Sequence, residues 1–281
     1  MWRTIRWRGW FSRRFRESLQ SVAAVGLLLI LILLIWNMSM RRGVNINPAD
    51  AAALRAPAGV VVTLAALAKS ESLDFAEVLA VYMLDNGFFR QAVAPVQISA
   101  LQTRYIKGFN SLRKRLGTKT VTNYAAWFRV MLDEIVCFPV QGDGYMYGDS
   151  YGATVKNGLY TGIDIYDRER TAGRLRVVTM ARGEVIETGR SGTDGWYVLV
   201  RSPNGTTYRY MHLAYLSADI AVGTTVAAGA MLGYMGDTGT EGTNALMPVR
   251  LTVVVSMETP VFSTLTKVNP YIFLRLVETG E

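Results

Sequence analysis

Fifteen consecutive residues, Val22 to Trp36, carry no polar side chain: VAAVGLLLILILLIW. Extending the run from Leu19 to Met40 adds only Gln20, Ser21, Asn37 and Ser39 as polar residues. Such a segment makes about 33 Å of helix at ~1.5 Å rise, enough to cross a ~30 Å hydrocarbon core. Arg3, Arg6, Arg8, Arg13, Arg14 and Arg16 precede it against Glu17, a net of +5, whereas only Arg41 and Arg42 follow. The positive-inside rule then puts the N-terminus in the cytoplasm and the rest of the chain outside. Trp7, Trp10, Phe11 and Phe15 interleave the arginines and suit the headgroup zone. A cleaved signal peptide is the rival reading. It fits less well, because the run is long and no small-x-small site follows it cleanly. The expected layout is a cytoplasmic tail over 1–18, a single transmembrane helix over 19–40 and a linker over 41–57.

Charge and composition then exclude whole classes of chemistry. The net charge is +8, so removing the tail leaves +3 for residues 21–281. The basic balance is therefore mainly a topology signal, and no nucleic-acid partner is expected. One cysteine, Cys137, excludes an intramolecular disulfide and a cysteine-rich zinc site. One histidine, His212, excludes any metal site that needs two imidazoles.

Beyond the linker the chain changes texture twice. Over 58–137 apolar residues recur at helical spacing. Phe75, Val78, Leu79, Tyr82 and Met83 form one stripe, with Ser72 and Asp74 as candidate caps. Tyr105, Phe109, Leu112 and Leu116 form a second, and Tyr124, Phe128, Met131, Leu132 and Ile135 a third. A small bundle of three or four helices is expected. Glu77, beside one apolar face, is either a solvated helix carboxylate or the acid of a lysozyme-like site. From Phe138 onward glycines, β-branched runs and turn signals dominate. Val177–Met180, Val185–Thr188, Tyr197–Arg201, Thr207–Met211 and Leu251–Val255 read as strands. Pro203-Asn204-Gly205 and Gly192 to Gly195 read as hairpin turns. No βαβ alternation is present, so the sheet should be mainly antiparallel. Pro270–Val277 closes the chain as a helix or a strand. The expected class is α+β.

The motifs of residues 138–277, taken in order, resemble the LytM or M23 zinc metallopeptidase family, whose active members cut peptidoglycan cross-bridges. Tyr160-Thr161-Gly162-Ile163-Asp164-Ile165 parallels the family's H-x-G-[IVT]-D-[IL]. Gly183-Glu184-Val185 parallels G-x-V, and Tyr210-Met211-His212-Leu213 parallels Y-x-H-L. Val222-Gly223, Val226, Gly229 and Leu232-Gly233 follow the glycine pattern, then Gly236-Asp237-Thr238-Gly239. Pro248-Val249-Arg250-Leu251-Thr252 stands at P-x-H-L-H, and Val268-Asn269-Pro270 at the closing V-N-P. A lipoyl or biotinyl domain shares the glycine turns, but it needs a lysine at a hairpin tip, and Thr207 to Arg250 contains none.

The resemblance implies a chemistry that the residues do not supply. In active relatives two histidines and an aspartate hold zinc, and two further histidines assist. Carried over, the ligand positions here are Tyr160, Asp164 and Thr252, and the assisting positions are Arg250 and His212. The expectation is that zinc and hydrolysis are lost, with no cofactor, and that an Asp164–Arg250 ion pair replaces the metal. His212 is expected to hydrogen-bond Tyr160 or Thr252. Tyr160, Asp164, Tyr210, His212, Arg250 and Thr252 are the groove candidates. The resemblance further implies a single-pass protein of a bacterial cell membrane, its outer domain binding peptidoglycan peptide or a protein partner. Non-catalytic LytM-like proteins activate wall hydrolases, and a forespore-membrane member pairs with a mother-cell protein during sporulation. The alternatives are an active metalloendopeptidase with a non-standard ligand set, and a structural spacer.

Overall fold

A computed structural model describes residue 30 and residues 46–89, 97–155, 158–239, 247–259 and 262–280. The expected span over 19–40 lies outside these apart from Ile30. Among the described residues no helix is long and apolar enough to cross a membrane. The chain divides into two units, Met1–Asn45 and Ile46–Glu281, and the elements below belong to the second.

The first half of this unit is helical. Helix α1 (Pro48–Ala53) starts with proline at its first position and Asn47 as its cap, whose Oδ1 accepts from the Ala49 N–H at 3.0 Å. Helix α2 spans Ala58–Ser70 and α3 spans Phe75–Asp85. Asp74 caps α3 by accepting from the Ala76 N–H at 3.0 Å, whereas Ser72 sits in a turn at φ +53°. The expected stripe Val78, Leu79, Tyr82 and Met83 is buried. The second stripe is broken rather than continuous. Helix α4 (Ile98–Leu101) widens into a π-helical turn at Gln102–Lys107, and α5 restarts at Phe109–Leu116. Gly108 sits at the junction, where a Cβ would lie 2.5 Å from the Arg104 carbonyl oxygen. Periodicity alone hides this break, because Tyr105, Phe109, Leu112 and Leu116 are still all buried on one side.

Helix α6 (Thr118–Glu134) carries the densest core, with Tyr124, Trp127, Phe128 and Met131 buried. The closing segment is a helix, α7 (Tyr271–Thr279), and its Phe273 packs against Phe128 with ring centroids 6.5 Å apart. Four buried apolar residues, Ile272, Phe273, Leu274 and Leu276, decide the helix over the strand.

The second half is a curled antiparallel sheet. Its strands are β1 (Val140–Gln141), β2 (Tyr145–Tyr147), β5 (Ile163–Asp167), β6 (Arg176–Val178), β7 (Gly183–Ser191), β8 (Gly195–Arg201), β9 (Thr207–Leu216), β10 (Thr225–Val226), β11 (Met231–Met235), β12 (Arg250–Thr259) and β13 (Phe262–Val268). A separate hairpin pairs β3 (Thr154–Val155) with β4 (Gly158–Leu159). The main order is β1-β6-β11-β9-β12-β5-β2, with β8 beside β9, β7 beside β8, β10 beside β7 and β13 beside β12. All the expected strands lie inside observed ones except Val177–Met180, which ends two residues early, at Val178. Both predicted turns are hairpin turns: Gly205, at φ +87°, donates its N–H to the Ser202 carbonyl at 3.0 Å, and residues 192–194 join β7 to β8.

Helices and sheet share one core. Glu134, at the end of α6, is 8% exposed and accepts from Ser202 Oγ and Tyr208 Oη, both at 2.6 Å. Trp127 Nε1 donates to Met257 Sδ at 3.0 Å, and Asn269 donates its backbone N–H to the Ala52 carbonyl and its side-chain amide to that of Ala53. These ties are polar groups buried with partners, so each specifies how the layers meet as well as stabilising it.

Candidate functional site

Strand register assembles the site. Thr252 of β12 lies opposite Asp164 of β5, and Arg250 lies opposite Tyr166. Because side chains alternate along a strand, all four point to the same face. On the other side of β12, Thr252 lies opposite Met211 of β9. Gly162 allows the approach of β5 to β12, since a Cβ there would meet Thr252 Cγ2 at 2.9 Å. Ser150 fixes the start of β5: it accepts from the Asp164 N–H at 3.0 Å and donates to the Gly162 carbonyl at 3.1 Å.

Asp164 is the hub. Its Oδ1 accepts from the Tyr160 hydroxyl and from Thr252 Oγ1 at 2.5 Å, and its Oδ2 accepts from the Tyr166 hydroxyl at 3.1 Å. The Tyr160 and Thr252 hydroxyls also lie 3.2 Å apart. Arg250 Nε stands 3.9 Å from Asp164 Oδ1, at the outer limit of an ion pair, with side chains 10% and 13% exposed. The expected Asp164–Arg250 contact is thus present, but the closest partners of the carboxylate are hydroxyls. Tyr166 was missed from the sequence, although it lies two residues beyond Asp164 on the same strand face.

His212 reaches the site by a backbone irregularity. Along the β8–β9 pair, Trp196 faces Leu213 but Val198 faces Tyr210, so β9 holds one extra residue there. His212 itself adopts φ +65°, a left-handed conformation that is uncommon for a residue other than glycine. A bulge of this kind re-aims a side chain. Its partners are not Tyr160 or Thr252, as expected. Nδ1 lies 2.7 Å from the Thr238 carbonyl oxygen, and Nε2 lies 3.0 Å from Arg250 Nη2. A carbonyl only accepts and a guanidinium only donates, so the network assigns the neutral tautomer with its proton on Nδ1. Burial, and then the Arg250 charge, hold the imidazole below its ordinary pKa. Its one lone pair is therefore occupied by an arginine. Thr238, which no motif had singled out as functional, also clasps the bulge. Its hydroxyl donates to the Leu213 carbonyl at 2.6 Å and accepts from the Trp196 N–H at 3.0 Å.

Tyr210, the remaining groove candidate, lies elsewhere. It is fully buried, and its hydroxyl accepts from the Met180 N–H at 2.7 Å. Strand alternation turns it to the core while Met211 faces the site, so Tyr210 is a packing residue. Glu77 is paired with Arg113 at 3.0 Å in the helical layer.

Burial, and then the nearby Asp164 charge, raise the Tyr160 phenol well above its usual range, and the same causes raise Tyr166. Both stay protonated as donors to the carboxylate. Beside them runs an open groove of about 400 Å³, lined among others by Tyr160, Thr252, Arg209, Met211, Val254 and Lys267. Arg209 is held there by Asp194 at 2.8 Å and Glu187 at 3.1 Å.

Residues 158–253, which include Tyr160, Asp164, His212, Arg250 and Thr252, match the profile of Peptidase family M23. Over these residues the chain is similar to M23/LytM-type domains. A Ruminococcus gnavus protein described as a glycyl-glycine endopeptidase, LytM, is similar at 26% identity over 85% of this chain and 94% of its own, with a TM-score of 0.62. The catalytic domain of lysostaphin, an antimicrobial peptidase of Staphylococcus simulans, matches at 26% identity over 47% of this chain and 92% of its own, with a TM-score of 0.37. A chain from a complex of SpoIIIAH and SpoIIQ matches at 16% identity over 49% of this chain and 97% of its own, with a TM-score of 0.38. The likeness to the Ruminococcus gnavus protein extends through the helical layer as well as the M23 domain, since it covers most of the chain.

Proposed function

We propose that this protein is a membrane-anchored, extracytoplasmic M23-fold binding protein, which holds cell-wall peptide or a protein partner in its groove without zinc-dependent hydrolysis. The observation that carries this reading is the closed network around Asp164. On the family resemblance, Tyr160, Asp164 and Thr252 stand where relatives hold zinc. Zinc sites of this class need imidazole or thiolate donors beside the carboxylate, with bonds of roughly 2.0–2.3 Å. Here the two other groups are neutral hydroxyls whose protons are spent on the carboxylate. Arg250 places a fixed positive charge 3.9 Å from the same oxygen, which repels a dication. The donor set does not fit zinc.

The assisting groups point the same way. Arg250 is permanently protonated and cannot act as a general base. His212 is neutral, but its free nitrogen accepts from Arg250 and so is closed to a substrate proton. What the site retains is shape: a groove with a polar floor, apolar walls at Met211 and Val254, and cations at Arg209 and Lys267. That combination suits an extended peptide, and the relative described as a glycyl-glycine endopeptidase supports peptide as the ligand class.

The test is to incubate the full chain with cross-linked muropeptides and with intact peptidoglycan, and to identify neighbours by cross-linking in native membranes. Saturable capture of peptide or of one extracytoplasmic protein, lost in Val254→Arg and without product formation, is expected. Release of cleaved cross-bridges at a rate that scales with enzyme would overturn the proposal in favour of a peptidase with a non-standard ligand set.

A further inference from the structure

The helical layer carries a charge pattern that the groove does not use. Residues 97–132 contain Arg104, Lys107, Arg113, Lys114, Arg115, Lys119 and Arg129 and not one acidic residue. The sheet domain that follows, residues 138–281, has twelve basic residues against fourteen acidic ones. The basic balance of the folded unit is thus confined to its helices.

Four of the seven cations are tied to acids from α3 and its cap. Arg104 and Arg115 share the buried Asp85 carboxylate at 2.7 and 2.6 Å, Arg113 pairs with Glu77 at 3.0 Å, and Arg129 pairs with Asp74. One carboxylate with two guanidiniums still leaves an excess positive charge, and both arginines are more than half exposed, at 56% and 57%. Lys107, Lys114 and Lys119 are exposed and have no ion partner among the described residues. Lys107, Ser111 and Lys114 follow helical spacing on the side opposite the buried Tyr105, Phe109, Leu112 and Leu116, and Lys119 stands exposed in the first turn of α6, beyond the break at Gly117. The result is an exposed basic stripe from the π-helical turn through α5, with Lys119 following it in sequence at the start of α6.

We infer that this stripe is a docking surface for anionic phospholipid headgroups, so that the folded unit lies against the bilayer that anchors it. The inference rests on reading residues 19–40 as a membrane span. Residues 41–47 then join the span to α1, and seven residues reach at most about 25 Å. A unit on so short a tether meets the membrane at an effective concentration far above that of any free partner. Clustered lysines on a membrane-proximal surface bind anionic lipid in proportion to their number, each by about fivefold. Three unpaired lysines therefore bias the unit toward the bilayer by about 100-fold, an effect that salt screens.

The experiment uses the full chain reconstituted in nanodiscs of phosphatidylcholine alone or with phosphatidylglycerol. A neutral acylating reagent is applied, and modification of each lysine is read by peptide mass spectrometry, with Lys267 on the sheet as the internal reference. In anionic discs Lys107, Lys114 and Lys119 should be acylated at least several-fold more slowly than Lys267. That protection should vanish at 0.5 M salt and be missing in zwitterionic discs. In a Lys107→Glu, Lys114→Glu, Lys119→Glu variant, the arginines of the stripe should gain access to an arginine-selective reagent in anionic discs. Equal rates in both discs overturn the inference. Protection that requires added extract protein, and not anionic lipid, assigns the stripe to a protein partner and also overturns it. Failure of the anchor reading is separately visible: the chain would then be extractable from the discs by alkali, whatever the lysine rates.

Discussion

Replacing Asp164 by asparagine tests the network at its hub. The side chain keeps its shape but loses its charge and exchanges one acceptor oxygen for an NH2 donor. Asp164 receives three hydroxyls, from Tyr160, Thr252 and Tyr166, and faces Arg250 at 3.9 Å. Whichever way the amide is turned, at least one hydroxyl meets a donor, and Arg250 loses its anion. Hydrogen bonds to an ionised group contribute about 1.5–3 kcal/mol each, and an unpaired buried charge costs several kcal/mol. The Tyr160–Thr252 contact at 3.2 Å gives one freed hydroxyl another acceptor, which trims the loss. The expected destabilisation is about 2–4 kcal/mol. With a urea m-value of ~2–3 kcal/mol/M, this moves the unfolding midpoint by about 1 M. Tryptophan fluorescence follows the transition, since Trp127 is buried in the shared core. A shift below ~0.5 kcal/mol at unchanged m-value would refute the reasoning, because the carboxylate would then be a solvated group and not the hub of the site.

Three further outcomes follow from the same geometry. His212 has a depressed pKa through burial and Arg250, so the unfolded chain takes up a proton near pH 6.5 before the folded one does. Stability from this group is complete above that pH and falls as pH drops toward the folded value, by at most about 1.4 kcal/mol per unit. As the chain has a single histidine, one imidazole NMR resonance reports it. That resonance should titrate at a lower pH in the folded chain than in the urea-unfolded chain, and Arg250→Met should raise the pH at which the folded one titrates. Glu134→Ala should cost about 3 kcal/mol by thermal melting, because it strands the buried hydroxyls of Ser202 and Tyr208. Tyr160→His combined with Thr252→His and Arg250→His should create stoichiometric zinc binding, measured by calorimetry, since all three side chains converge on Asp164.

The sheet was legible in the sequence to the extent that its signals are local. Alternation and turn residues marked the strands, because each depends on a few neighbouring side chains. The identity of the groups at Asp164 was legible too, through motif order. Their partnerships were not. His212 turns toward Arg250 and Thr238 only because β9 bulges and the residue itself goes left-handed, and nothing in Tyr-Met-His-Leu announces a left-handed histidine. Tyr210 looked like a groove residue from its motif, yet ordinary alternation sends it into the core. The join between helices and sheet was equally hidden. Glu134 meets Ser202 and Tyr208 some seventy residues away, a contact that no periodicity encodes. The break at Gly108 escaped because a π-helical turn preserves the buried face while changing the backbone.

Acceptance of zinc by the Asp164 site is the point on which the account turns, and elemental analysis of the full chain, purified in detergent without chelator and dialysed against micromolar zinc, measures it directly. Far less than one zinc per chain is expected, with a melting temperature that EDTA leaves unchanged. One tightly held zinc per chain, whose removal lowers the melting temperature and whose return restores muropeptide cleavage, would contradict it.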